Sequence, residues 1–282
     1  MRPLRLDSNS RAAYGWRMKP FLLAAGVCVL AVSSLRAADN WKLVWADEFN
    51  YQGLPDTNKW DYETGFVRNH ETQFYTKARL ENARVENGHL VIECRKEHFT
   101  PPHHAPVDYT SASLTTRSIT NWQYGRIEVR AKIPHGQGVW PAIWMLGADK
   151  KRAGWPGCGE MDIMEFIGKE PNHIFGTVHY NLAGKHQSDG GVLTTNQPWA
   201  DYHLYALEWT PERMDFYYDQ QKYHTVPVAK ANEGALNPFR APQYLILNFA
   251  IGGEWGGPID DAVLPQQFLI DYVRVYQSTG AR

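Results

Sequence analysis

Three acids stand within six residues in Gly159-Glu160-Met161-Asp162-Ile163-Met164-Glu165-Phe166, in an otherwise apolar stretch. Glu160 and Asp162 are two apart, so an extended chain carries them on one face. Glu165 is three further on and would point to the opposite face of a regular strand. A one-residue β-bulge near Ile163-Met164 would bring it back and turn Met161, Ile163 and Phe166 to the core. Two carboxyl groups on one face can cleave a glycosidic bond. One attacks the anomeric carbon as carboxylate; the other protonates the leaving oxygen, and retention needs them about 5–5.5 Å apart. After a bulge, Glu160 and Glu165 are effectively four strand positions apart, about 13 Å at the backbone, so the side chains must lean together. Asp162 between them would raise the proton affinity of a neighbour, because like charges disfavour joint ionisation. Spacing alone leaves two other readings open: acids that are simply solvated, and a calcium site of carboxylate oxygens.

The surroundings favour a glycan cleft. Val139-Trp140-Pro141-Ala142-Ile143-Trp144 puts two tryptophans on one face of an extended segment, and Trp155 follows shortly after. Sugars present flat C–H faces that stack on such rings. The elements that must position these groups read as strands. Residues 125–133 alternate, with Ile127, Val129, Ala131 and Ile133 on one face and Arg126, Glu128, Arg130 and Lys132 on the other. Residues 90–94, 244–251 and 270–276 read as further strands, and 202–209 with 214–219 as a hairpin across Thr210-Pro211-Glu212-Arg213. One short helix is expected over 229–236. There is no βαβ alternation, repeat or internal linker. The pattern predicts an all-β sandwich or jelly roll.

The chain has 282 residues, with 29 basic and 30 acidic side chains. Residues 1–37 carry six of the basic groups and one acid; without them the net charge is −6 over 245 residues. That excludes a basic nucleic-acid footprint. Arg17 and Lys19, an apolar run over 21–35 and the small Ala37 form a signal-peptide pattern, with Met18 a plausible start. The run is short for a membrane span. The expectation is a leader over 1–37, one domain over 38–282, export to the periplasm or medium, and no membrane association after cleavage. Cys94 and Cys158 are expected to be unpaired. Neither Gly-x-Ser-x-Gly nor His-Glu-x-x-His occurs, which sets aside serine-hydrolase and zinc-peptidase chemistry. Gly252-Gly253-Glu254-Trp255-Gly256-Gly257 lacks the Lys-Ser/Thr of a phosphate loop and reads as a turn near the cleft.

The acid segment resembles the active-site signature of glycoside hydrolase family 16 in its β-bulge form. Trp45-Ala46-Asp47-Glu48-Phe49, Asn69-His70-Glu71-Thr72-Gln73-Phe74-Tyr75, Tyr124-Gly125-Arg126-Ile127-Glu128, Trp140-Pro141-Ala142-Ile143-Trp144-Met145-Leu146, Gly176-Thr177-Val178-His179-Tyr180 and Asp271-Tyr272-Val273-Arg274-Val275-Tyr276 agree in order. Within the family the chain most resembles the laminarinases, endo-acting β-1,3-glucanases. The resemblance implies a concanavalin-like jelly roll with a concave cleft and retention through a glycosyl-enzyme. It implies Glu160 as nucleophile, Glu165 as acid/base, Asp162 as assistant, and His179 as support for the acid/base. Asn69, Arg117, Trp140 and Trp144 match positions that line the glycone subsites, and Trp155 and Trp255 sit in loops that could wall the cleft. No cofactor is implied for catalysis; a structural calcium is implied at Glu48, Gly88 and Asp271, with Asp47 structural. The implied partner is a polysaccharide, and a monomer is expected. The alternatives are the same chemistry on mixed-linkage glucan, agar, carrageenan or galactan, and a non-catalytic glucan-binding lectin.

Overall fold

The computed structural model describes residues 41–279 apart from 234–235. The expected leader lies outside the described residues. Among the described residues there are seventeen strands: β1 (Trp41–Asp47), β2 (Asp61–Glu63), β3 (Phe74–Tyr75), β4 (Ala83–Glu86), β5 (His89–Phe99), β6 (Val107–Ser111), β7 (Ser113–Thr115), β8 (Gly125–Lys132), β9 (Val139–Gly147), β10 (Glu160–Glu165), β11 (His173–Leu182), β12 (Lys185–Thr194), β13 (His203–Trp209), β14 (Arg213–Tyr218), β15 (Gln221–Pro227), β16 (Gln243–Ile251) and β17 (Gln266–Ser278). They form two sheets. One runs β12-β11-β10-β9-β16-β7-β2; the other runs β15-β14-β13-β8-β17-β5-β6-β3, with β1 on β17 and β4 on β5. This is the expected all-β jelly-roll sandwich.

The alternation in β8 does what its sequence dictates. Ile127, Val129 and Ala131 are fully buried, while Arg126, Glu128, Arg130 and Lys132 stay half-exposed. They meet Ile143 and Met145 of β9 and Leu245, Leu247 and Phe249 of β16 in one inter-sheet core. Central β9 and β16 are buried on both faces. Their second face carries a smaller cluster of Ala142, Trp144, Leu146, Tyr244, Ile246 and Cys158. That face is the cleft side.

The expected hairpin forms, with the Thr210 hydroxyl accepting from the Arg213 amide at the turn. The expected helix over 229–236 does not. A single 3₁₀ turn, Val228–Ala231, buries Val228 and Ala231 and stops at Asn232, which is extended and accepts from the Asn237 side chain. The Asn237 side chain donates both to Asn232 and to the Val228 carbonyl, so it satisfies a carbonyl that a continuing helix would have used. Cys94 and Cys158 are buried and unbonded.

Candidate active site

The irregular acid spacing resolves into a bulge in β10. Asp162 lies opposite Trp144 of β9, but Met164 lies opposite Ile143, so two β10 residues face one β9 residue. The register to β11 breaks in the same place, between Asp162 and Glu165. Ile163 and Met164 therefore both enter the core, beside Met161 and Phe166. Glu160, Asp162 and Glu165 all line one cleft. Glu160 pairs with Leu146 and Glu165 with Ala142, four positions along β9. Gly159 opens the strand at φ +77°, and a Cβ there would sit 2.8 Å from Pro238, so only glycine meets both demands.

Alternate residues of β9, namely Trp140, Ala142, Trp144 and Leu146, form the floor beside the acids. Each glutamate accepts one indole N–H: Trp155 Nε1 donates to Glu160 Oε2 at 2.9 Å, and Trp140 Nε1 to Glu165 Oε1 at 3.0 Å. His179 stands directly across from Glu160 on β11, with Nε2 3.3 Å from Asp162 Oδ2. The three expected floor and wall tryptophans differ in kind. Trp140 and Trp144 are only 8% and 6% exposed, whereas Trp155 is 48% exposed. The open stacking surface is thus mainly Trp155.

Burial and crowding set the protonation. Burial, then the charge of Glu160, pushes the Asp162 carboxyl well above its ordinary range. Burial pushes Glu165 up as well, followed by the charge of Asp162, while the Trp140 N–H pulls it back. Glu160 is raised by burial but opposed by His179, the Trp155 N–H and Arg68. Of the three, Glu160 has the most groups favouring its ionised form, while burial and the charge of Glu160 act against ionisation of Asp162. The cluster therefore favours a negative charge on Glu160 and protons on the other two. The nearest donor atoms of Glu160, Asp162 and His179 lie within 4.8 Å of one another, a grouping a cation could also bind.

Asn69 lines the same cleft, with its backbone at φ +53° and its carbonyl accepting from the Glu254 amide. Trp255 packs edge-on to Trp140 and Phe175, 5.5 and 4.9 Å between ring centroids, and so buttresses the cleft wall. Arg117 is not brought to the acids. It is exposed, its guanidinium 5.8 Å from the ring of Tyr244. The calcium set is also not free as placed. Both oxygens of Glu48 accept from Arg274 at 2.8 Å, Asp271 Oδ2 accepts from Arg130 at 2.6 Å, and Gly88 offers only backbone. Two carboxylates already neutralised by guanidinium groups do not fit a hard cation unless Arg274 leaves. Asp47, read as structural, is buried and accepts from Trp60, Tyr51 and Lys59.

Sequence reasoning missed Arg68, Glu71, Lys150 and Asn248, which also line the cleft. Asn248 accepts from Trp144 Nε1 at 2.7 Å and donates to Tyr75 Oη at 2.9 Å, and Tyr75 donates to Glu71 at 2.9 Å. A lone amide in the apolar run Leu245-Ile246-Leu247-Asn248-Phe249 was the available signal. Arg68 lies over the Trp144 ring, 4.8 Å from its centroid, and pairs with Glu63. No pattern marks it except its place beside Asn69.

Residues 70–274 match the family model for glycosyl hydrolases family 16. The chain belongs to glycoside hydrolase family 16. It is 44% identical to a beta-glucanase of Rhodothermus marinus over 93% of this chain and 94% of that protein. The solved laminarinase of the same organism superposes with a TM-score of 0.77 at 44% identity, covering 85% of this chain and 98% of that one. A non-specific endo-β-1,3(4)-glucanase of the family, solved with a 1,3-β-D-cellobiosyl-glucose at its active site, gives 0.79 at 44% identity over 85% and 95%. This family 16 member is thus a glycoside hydrolase with the bulged acid strand at the centre of its cleft.

Proposed function

We propose that the chain is a retaining endo-glucanase that cuts the β-1,3 linkages of laminarin-type glucans. The observation that carries the reading is the β10 bulge, which returns Glu165 to the face of Glu160 and Asp162. In this reading Glu160 is the nucleophile. Trp155 holds its Oε2, leaving the other oxygen to attack the anomeric carbon. Glu165, kept protonated by burial and by the negative charge of Glu160, gives its proton to the glycosidic oxygen as the bond breaks. Asp162 carries a proton that it shares toward Glu160, and His179 contacts it from β11. In the second half, Glu165 takes a proton from water, the hydroxide attacks the anomeric carbon, and Glu160 leaves. Two inversions restore the starting configuration. Trp155 is the exposed stacking face, with Asn69, Trp140 and Trp144 at the floor. Arg117 belongs to the remote end of the same face.

No step uses a cofactor, and calcium at Glu48, Gly88 and Asp271 would enter only by displacing Arg274. Export with removal of residues 1–37 rests on composition, and action as a monomer is part of the same proposal. Mixed β-1,3(4)-glucan is the second reading, favoured by the likeness to the non-specific glucanase. The test is reducing-end release by the chain lacking residues 1–37 on laminarin, lichenan, agarose and κ-carrageenan, with Glu160→Gln as control. Release from laminarin that the variant lacks supports the reading. Release from lichenan at a like rate supports the second. Activity confined to agarose or κ-carrageenan overturns the substrate and keeps the chemistry.

A further inference from the structure

The acid cluster continues into a residue that the reaction as derived does not use. β11 and β12 are joined by a two-residue turn at Ala183 and Gly184, both at positive φ (53° and 73°). That backbone pair is the tight hairpin turn whose twist matches the strands and fixes their register. The register places His186 opposite Asn181, two residues from the Ser188 that faces His179. The two histidines are thus diagonal neighbours on one face, within reach of ring contacts. His186 Nε2 lies 2.9 Å from His179 Nδ1. The ring of Trp155 sits 4.7 Å from that of His186. Trp155 donates to Glu160, and the other nitrogen of His179 lies 3.3 Å from Asp162 Oδ2, a buried oxygen with no hydrogen-bond partner among the described residues. The contacts run Asp162, His179, His186, Trp155, Glu160.

We propose that His186 is a positioning residue of the hydrolysis: it sets the tautomer of His179 and seats the ring of Trp155, and through them it orients Asp162 and Glu160. The proposal rests on the assignment of those two acids to the chemistry. The proton inventory supports it. A neutral imidazole has one N–H and one lone pair. When His179 Nε2–H points at Asp162 Oδ2, its Nδ1 must accept, and His186 Nε2–H is the donor within reach. If His179 takes a second proton, its Nδ1–H donates to His186 Nε2, whose own proton moves to the far nitrogen. In both states His179 keeps a proton toward Asp162. Without His186, Nδ1 meets water and the other tautomer becomes accessible, which sets a lone pair against Asp162. Burial, then the neighbouring His179, holds His186 below the usual histidine range. Asp162 and Glu160 of β10 are the acids beside His179, and Lys150 and Arg68 act on Glu160 from the cleft.

The experiment compares wild type, His186→Ala and His186→Gln. The ring ¹⁵N shifts of His179 are read without substrate, and kcat, KM and the pH profile are read on laminarin. Wild type should show the Nε2–H form of His179, and His186→Ala a mixture. His186→Ala should lose about ten-fold in kcat, the loss expected for one orienting hydrogen bond, with KM within about two-fold and a displaced pH profile. His186→Gln keeps an N–H donor and should regain most of the rate. A purely structural histidine would not move the pH profile or the tautomer. The proposal is overturned if His179 is already in the Nδ1–H form, or if His186→Ala keeps the wild-type tautomer, kcat and profile. An enzyme inactive on laminarin would sink the substrate reading alone, because the tautomer still decides this one.

Discussion

Removing the indole N–H that holds Glu165 should move the alkaline limb of the pH profile upward. The perturbation is Trp140→Phe, which keeps an aromatic ring against Trp255 and deletes the 3.0 Å donor to Glu165 Oε1. That hydrogen bond favours the ionised carboxylate and so lowers the pKa that burial and Asp162 raise. A hydrogen bond to a charged group is worth about 1.5–3 kcal/mol, so its loss raises the Glu165 pKa further in the direction that burial already sets. Glu165 must be protonated to expel the aglycone, so activity falls as pH rises through its pKa. A higher pKa moves that fall to higher pH. The bond also stabilises Glu165 as it gives up its proton, so kcat/KM on the plateau should drop by about ten-fold. The assay is reducing-end release on laminarin from pH 4 to 9, with far-UV circular dichroism to show an unchanged fold. A limb that stays in place or moves to lower pH refutes the assignment of Glu165 as the acid.

Other consequences follow from the same contacts. Buried carboxyls with raised pKa stabilise the fold below their unfolded pKa and lose that contribution as pH rises through the folded value. Glu165→Gln should therefore raise Tm at pH 7 and show little gain near pH 4, checked by calorimetry at both; an equal gain at both pH values would contradict the burial argument. Asn248→Ala frees the Trp144 and Tyr75 polar groups within a buried network and should cost about 1–3 kcal/mol of stability, read from urea midpoints. Chelation with EDTA should leave Tm unchanged, because Arg274 and Arg130 already neutralise Glu48 and Asp271; a fall reversed by calcium would show that Arg274 yields to the cation.

Much of the site was legible because strand geometry has so strict a period. Three acids at spacings of two and three cannot share a face without an extra residue, and the bulge lies where that arithmetic put it. The core face of β8 followed from alternation for the same reason. β12 was not legible: Lys185-His186-Gln187-Ser188-Asp189-Gly190-Gly191 carries no apolar face, since it is an edge strand exposed along most of its length. His186 was hidden with it. Arg68, Lys150 and Asn248 reach the cleft from a loop, a short helix and another strand, so their meeting is a long-range fact that local pattern does not encode. The expected place of Arg117 came from motif position, and the structure sets it 5.8 Å from the ring of Tyr244, on the cleft side of the sheet.

The central claim is that Glu160 forms a covalent bond with the sugar on the way to a retained product. Its most direct test is to trap the enzyme with a 2-deoxy-2-fluoro-β-glucoside or laminaribioside carrying a good leaving group, and to sequence the labelled peptide by mass spectrometry. The account predicts one sugar on the peptide that contains Glu160, and first-formed β-anomer in the ¹H NMR of laminarin digests. A label on another residue, or first-formed α-anomer, would contradict it.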